Sequence, residues 1–170
     1  MNVEPLFLKF SADKLTQFAE RIEVCAGKLN DDQIWARGHE SSNAIGNLML
    51  HLNGNVRQWI VGALGGSPGE RNRDAEFAAR GTTTTADLTT RLRKTVDEAA
   101  QVISALTTEQ LTKTYDIQSY PVSGVEAVYH VVEHFAEHTG QIIFATKLLT
   151  GEDLGFYGHL SNPQHEERVP

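Results

Sequence analysis

Along most of this chain apolar residues return every three or four positions, and almost nowhere do they alternate as a half-buried strand requires. Leu15, Phe18, Ile22, Cys25 and Leu29 keep that interval and predict a first helix ending near Leu29, with Ser11 either capping it or lying within it. A second helix is carried by Ile45, Leu48, Met49, Leu52, Val56, Trp59, Ile60 and Ala63. Ser41, Ser42 and Asn43 stand where its cap is expected, and Gly65 and Gly66 end it. Leu88, Leu92, Val96, Ala99, Val102, Ile103 and Leu106 predict a third helix from about Ala86 to Leu106, with Thr84 and Asp87 in capping-box register. Ser123 and Glu126 repeat that register before a fourth, built on Val128, Val131, Val132, Phe135, Ile142, Ile143 and Leu149. Four long amphipathic helices pack most simply as an all-α four-helix bundle.

The connections refine that picture. LNDDQI at residues 29–34 and LTTEQL at 106–111 each follow a long helix and share Leu, two capping-prone residues, an acid, Gln and an aliphatic. A short helical turn is expected in each, and the match suggests two related helical hairpins facing each other across a pseudo-twofold axis. Residues 66–84, a stretch of 19, are too many for a tight turn and make a long crossover that frees the third helix to begin far from the end of the second. TYDIQSYPVSG can include extended segments, because Pro121 keeps Tyr120 out of helical geometry. Nothing splits the chain, so residues 1–170 are expected to form a single domain.

Composition then narrows the function. A chain of 170 residues can bury a self-sufficient core without disulfides. Its formal charge of −7 provides no positive field for nucleic acid or anionic lipid, so neither partner is expected. A single cysteine, Cys25, makes no internal disulfide, and no apolar run approaches the ~18 residues that span a bilayer. A cytoplasmic protein with no membrane partner is expected.

The candidate chemistry is in VYHVVEHFAEHTGQ, where His130, His134 and His138 are spaced by four on the fourth helix. Neighbours four apart are separated by about 6 Å of rise, and the outer two by about 12 Å. With metal–nitrogen bonds of about 2.1 Å, one ion takes an adjacent pair but not the outer two. On a helical projection His138 borders the apolar stripe, His134 lies a little further round and His130 further still, which favours His134 with His138. A catalytic zinc site usually has three protein ligands, and His51 lies on the flank of the second helix, where it could converge on that pair. Taken alone, an HxxxH pair is more often solvated or hydrogen-bonded than metal-bound.

HLNGNVRQWI together with HFAEHTGQI resembles the DinB/YfiT-like superfamily of metal-binding four-helix bundles, which carry one histidine on the second long helix and an HxxxH pair on the last, often followed by Gly-Gln. The resemblance covers most of the chain, and RNRDAEF in the crossover is similar to a subgroup long filed under unknown function. It implies His51, His134 and His138 as ligands of a divalent ion, usually zinc or nickel, in a bundle that is often a homodimer. His130 is not a usual ligand. Some members are S-transferases in which the ion holds a low-molecular-weight thiol as nucleophile, while many others are labelled hydrolases by analogy.

Coordination to a dication lowers a thiol's pKa, and zinc can bring that of water to about 7, so one site could serve a thiol S-transferase or a hydrolase acting on a small-molecule substrate. The alternative from another class is a non-enzymatic bundle with a structural ion or a small-molecule binding role. Asn55 shares a flank with His51, and Gln141 projects near His138; each is a candidate for orienting a ligand or substrate. Arg57, Arg71 and Arg73 could hold a thiol's carboxylate, and Glu76 and Glu137 could act as bases, although such charges are ordinarily solvated. Cys25 reads as a buried small hydrophobe, and Trp35 and Trp59 as core or interface aromatics. His39, His159 and His165 are assigned no role. There is no HExxH, no ExxH and no GxxxxGK[ST].

Overall fold

The computed structural model describes residues 3–162, 164, 166, 167, 169 and 170; His165 lies outside them. Four long helices form the bundle: α1 (Glu4–Ala26), α3 (Ile45–Val56), α5 (Thr85–Ala105) and α7 (Gly124–Thr150). Shorter pieces join them. These are α2 (Asp31–Ile34), α4 (Arg73–Ala78), α6 (Thr108–Thr112), and a hairpin of β1 (Thr114–Ile117) and β2 (Tyr120–Ser123). No helix among the described residues is long and apolar enough to cross a membrane.

The helix ends follow local chemistry, with three departures from the sequence pattern. Asn30 with Gln33, Thr107 with Gln110 and Ser123 with Glu126 make capping boxes, and the Thr84 hydroxyl accepts the Asp87 N–H. Ser11 lies within α1, one of its two expected placements, and is buried there; the departure is the end, at Ala26 and not near Leu29, because Asn30 already caps the next helix. The cap of α3 is not drawn from Ser41, Ser42 or Asn43; instead Asn47, inside the helix, accepts the Ala44 N–H at 3.1 Å. Beyond Val56 the same helix widens into a π-helical segment, Arg57–Leu64, closed by Gly65 N–H on the Ile60 carbonyl. The wider turns let Trp59, Ile60, Val61 and Leu64 all reach the core. In the hairpin, Gln118 and Ser119 both take positive φ, 55° and 65°, as a two-residue turn between twisted strands requires.

α1 packs against α5 and α7, and α3 packs against the same two helices. Side-chain pairs give the directions. Asn53 meets Thr95 and Arg57 meets Glu98, so α3 and α5 run parallel. Phe18 stacks on Phe135 and Lys28 pairs with Glu152, so α1 and α7 do too. His51 lies beside His138 and Trp59 beside His130, so α3 and α7 are antiparallel. Each half of the chain is long helix, capped short helix, long helix, as the LNDDQI and LTTEQL match suggests. The halves interlock rather than face each other as separate hairpins, because α1 and α3 sit diagonally. Parallel α3 and α5 also explain the long crossover: the chain must return along the length of the bundle before α5 can start.

The buried apolar residues form one cluster between the four helices, with Leu15, Ile22, Leu52, Ile60, Leu92, Ile103, Phe135 and Ile142 almost fully enclosed. Cys25 is among them, beside Thr146. Gly124 opens α7 against the backbone of α6, where an added Cβ would lie 2.4 Å from the Gln110 carbonyl oxygen. Gly124→Ala is expected to lower stability by about 1–3 kcal/mol in urea unfolding with the slope unchanged. A wild-type midpoint would show that α6 does not pack against the start of α7.

Candidate metal centre

Where α3 crosses α7, one ring nitrogen from each of His51, His134 and His138 lies within 4.8 Å of the others. His51 Nε2 and His134 Nε2 are 2.9 Å apart. His51 is buried, and His134 and His138 are half-buried. The third histidine of the α7 row does not join them. His130 packs under Trp59, with ring centroids 4.2 Å apart, one turn too far along the seam.

Hydrogen bonds at the far side of two rings decide which nitrogens are free. Glu76 Oε2 lies 3.0 Å from His51 Nδ1, and a carboxylate can only accept, so the proton belongs on Nδ1 and the Nε2 lone pair faces the cluster. Arg71 Nη2 is 3.1 Å from the same nitrogen and donates to Glu76 Oε2 at 2.9 Å; it has a second hydrogen to give, but only a proton on Nδ1 satisfies the carboxylate oxygen facing it. His138 Nδ1 lies 2.7 Å from Gln141 Oε1; with that oxygen accepting, His138 likewise presents Nε2. A ligating histidine whose other nitrogen donates to a carboxylate or carbonyl is the usual arrangement at metal sites.

Electrostatics keeps the lone pairs available. Burial, followed by the neighbouring His138, His51 and His130 and by Arg71, pushes His134 down to about 3. Burial also lowers His138, partly offset by its bond to Gln141, and lowers His130. Neutral imidazoles are what a cation needs. The donor set therefore fits a divalent ion. Nitrogens around a tetrahedral ion with bonds of about 2.1 Å sit roughly 3.4 Å apart, within the spread of the cluster.

The other candidate residues fall into three groups. Gln141 and Asn55 are near the cluster: Gln141 through His138, and Asn55 one turn beyond His51, buried, with its Oδ1 lacking a hydrogen-bond partner among the described residues. Trp59, a further turn on, is buried with its indole N–H also unpartnered among the described residues. Arg57 is exposed and pairs with Glu98 at 3.1 Å, away from the histidines. Arg73 stacks on Phe77, and Glu137 is exposed. Glu76 and Arg71 depart from the sequence reading, since neither is solvated: their side chains are 11% and 8% exposed. Burial raises the Glu76 carboxyl, but hydrogen bonds and charge from Arg71 and His51 outweigh it and hold it below its ordinary value. Phe77 from the same short helix covers the His51 ring, centroids 4.7 Å apart. An open hollow of about 340 Å³ lies behind this layer, lined by Arg57, Gln58, Arg71 and Glu76 but by none of the three histidines.

Sequence comparison places residues 2–165 within a family described as "Protein of unknown function (DUF1572)". The sequence has no match among curated proteins. In structure the chain is similar to a conserved protein from Enterococcus faecalis, at 16% identity and a TM-score of 0.72 over 89% of this chain and 99% of that one. It is also similar to a DinB-like protein from Bacillus cereus ATCC 10987, at 16% identity and a TM-score of 0.63 over 82% and 89% of the two chains. At such identity the likeness shows the fold, which is DinB-like.

The lowered histidines set a pH dependence. A folded-state pKa of about 3 against 6.5 for the free group means that between those values the unfolded chain binds the extra proton. The contribution of His134 to stability is therefore present above pH 6.5 and is lost as pH falls toward 3. Metal-free protein is expected to melt at progressively lower temperature over that window, and His134→Gln to show a shallower fall. Equal slopes for the two proteins would contradict the assignment.

Proposed function

This chain belongs to the DUF1572 family, and on its fold and histidine cluster together we propose that it is a divalent-metal-dependent transferase acting on a small thiol. The observation that carries the reading is the convergence of His51, His134 and His138 with no fourth His, Cys, Asp or Glu joining them among the described residues. Structural zinc sites close with four protein ligands, whereas catalytic ones commonly take three and keep a position open. Zinc and nickel both suit imidazole nitrogen. When bound, the ion would keep its full charge beside three neutral donors and so lower the pKa of a thiol, ~8.5 when free, leaving thiolate at neutral pH.

The chain's own residues do the rest. His51, His134 and His138 hold the ion through their ring nitrogens, and Gln141 fixes the orientation of the His138 ring. Asn55 offers a buried, unpaired acceptor on the same flank as His51, suited to an N–H of the thiol compound. Arg57 would meet a carboxylate of that compound only by leaving Glu98. In the reaction the sulfur bonds to an electrophilic carbon, the leaving group departs with its bonding pair, and the thiol proton passes to solvent.

Metal analysis of the purified protein should give close to one zinc or nickel per chain. His138→Ala should lose that metal, with affinity falling beyond the 10–100-fold typical of removing an outer partner. Wild type should consume glutathione, bacillithiol or mycothiol with a model electrophile, and His138→Ala should not. Full occupancy in His138→Ala would sink the ligand assignment. Metal-dependent ester hydrolysis with no thiol consumed would instead support a hydrolase.

A further inference from the structure

No residue of the short helix α4 is fully buried, and its one apolar contact with α3 named above is Phe77 on the His51 ring. The other attachments are polar. Asn47 of α3 donates to the Glu76 carbonyl at 2.8 Å and to the Ala79 carbonyl at 3.1 Å, and Arg37 braces Asn47 from the other side. The remaining attachment is an ion pair. Arg71 Nε donates to Glu76 Oε1 at 2.8 Å and Nη2 to Oε2 at 2.9 Å, while Nη1 donates to Gln58 at 2.9 Å. This two-pronged pair, nearly closed off from water, rests on Gly54. A Cβ at position 54 would lie 2.0 Å from Glu76 Oε1 and 2.8 Å from Arg71 Nε, so any side chain there would displace the pair. Gly54 is one turn past His51, on the face where the carboxylate reaches His51 Nδ1 at 3.0 Å.

We infer that the Arg71–Glu76 pair, seated on Gly54, is a positioning device that keeps the His51 proton on Nδ1 and so commits its Nε2 lone pair to the ion. The inference rests on the metal reading above and deepens it. With the proton on Nε2, the His51 Nδ1 lone pair would face a carboxylate oxygen, acceptor against acceptor. A second Arg71 Nη2 hydrogen could meet that nitrogen, but Glu76 Oε2 would still lie 3.0 Å from the same lone pair. The seated pair therefore selects one imidazole tautomer. Because crossover docking and ion binding require the same form of His51, each favours the other, and by linkage the coupling is equal in both directions. Arg71 and Glu76 are positioning residues: they reach His51 at Nδ1 and are not among the clustered donors.

The test uses two perturbations that leave all three histidines in place. Gly54→Ala keeps the pair in the sequence but denies it its seat. The double variant Arg71→Ala with Glu76→Ala removes both charges together, so no buried charge is stranded, and leaves α3 untouched should Gly54→Ala fold poorly. Nitrogen-15 NMR of the imidazoles in metal-free protein reads the tautomer, with His51 assigned by its absence in His51→Gln. Competition with a chromophoric chelator reads the affinity for zinc and for nickel. Wild type is expected to hold His51 as the Nδ1–H form. Both variants should move it toward Nε2–H and bind each ion 10–100-fold more weakly, with helical circular dichroism retained. A loss of packing alone would lower the melting temperature without moving the tautomer. Nδ1–H persisting in both variants, or wild-type affinity in both, overturns the inference. If wild type binds neither ion, the metal reading falls, while the tautomer in metal-free protein still decides the positioning role.

Discussion

Imidazoles from two helices can share one ion only where those helices pack face to face, and the seam between α3 and α7 meets that demand. Their antiparallel contact brings His51 against His134 and His138 and, further along, Trp59 against His130. The apolar sides of the same helices are committed to the common core. The histidines therefore occupy the flank of each helix, His51 buried and His134 and His138 half in and half out. That position lowers His134 and His138 by burial and yet leaves them a path to solvent.

The direction of the helices has a second consequence. Because α3 and α5 run parallel, the chain between them must travel back along the bundle. It uses that length to lay a polar layer over the outer face of α3. This layer, and not the core, contributes the carboxylate behind His51. Burying two charges there costs desolvation, offset by two direct hydrogen bonds between them and by further ones to His51 and Gln58. The long connection is thus part of the site's construction as well as a link between helices.

Much of the fold was legible because helix formation is periodic and local. The four long helices, both short capped turns and the extended stretch around Pro121 follow from spacing and capping chemistry, with the early start of α1 at Glu4 outside that pattern. The departures come where a distant partner decides. Asn47 displaces the expected serine caps because its amide also ties down the crossover, and the widening after Val56 serves the packing of Trp59 against α7. At the site, the pairing of His134 with His138 over His130 was readable from rise and projection, and Gln141 from its place one turn on.

The sequence by itself determined which faces of which helices carry the histidines, since a period of 3.6 residues assigns every position on a helix to a direction. Only the tertiary structure decided that those faces meet and what lies behind them. Glu76 and His51 are 25 residues apart, and nothing in RNRDAEF distinguishes a buried ion pair from a solvated one. Arg71 and Glu76 leave solvent because α3 offers them the bare backbone of Gly54, a match of shape between two segments with no shared period. Spacing could likewise place Asn55 near His51 but could not show that its carbonyl oxygen is buried without a partner, because that depends on every neighbour around it.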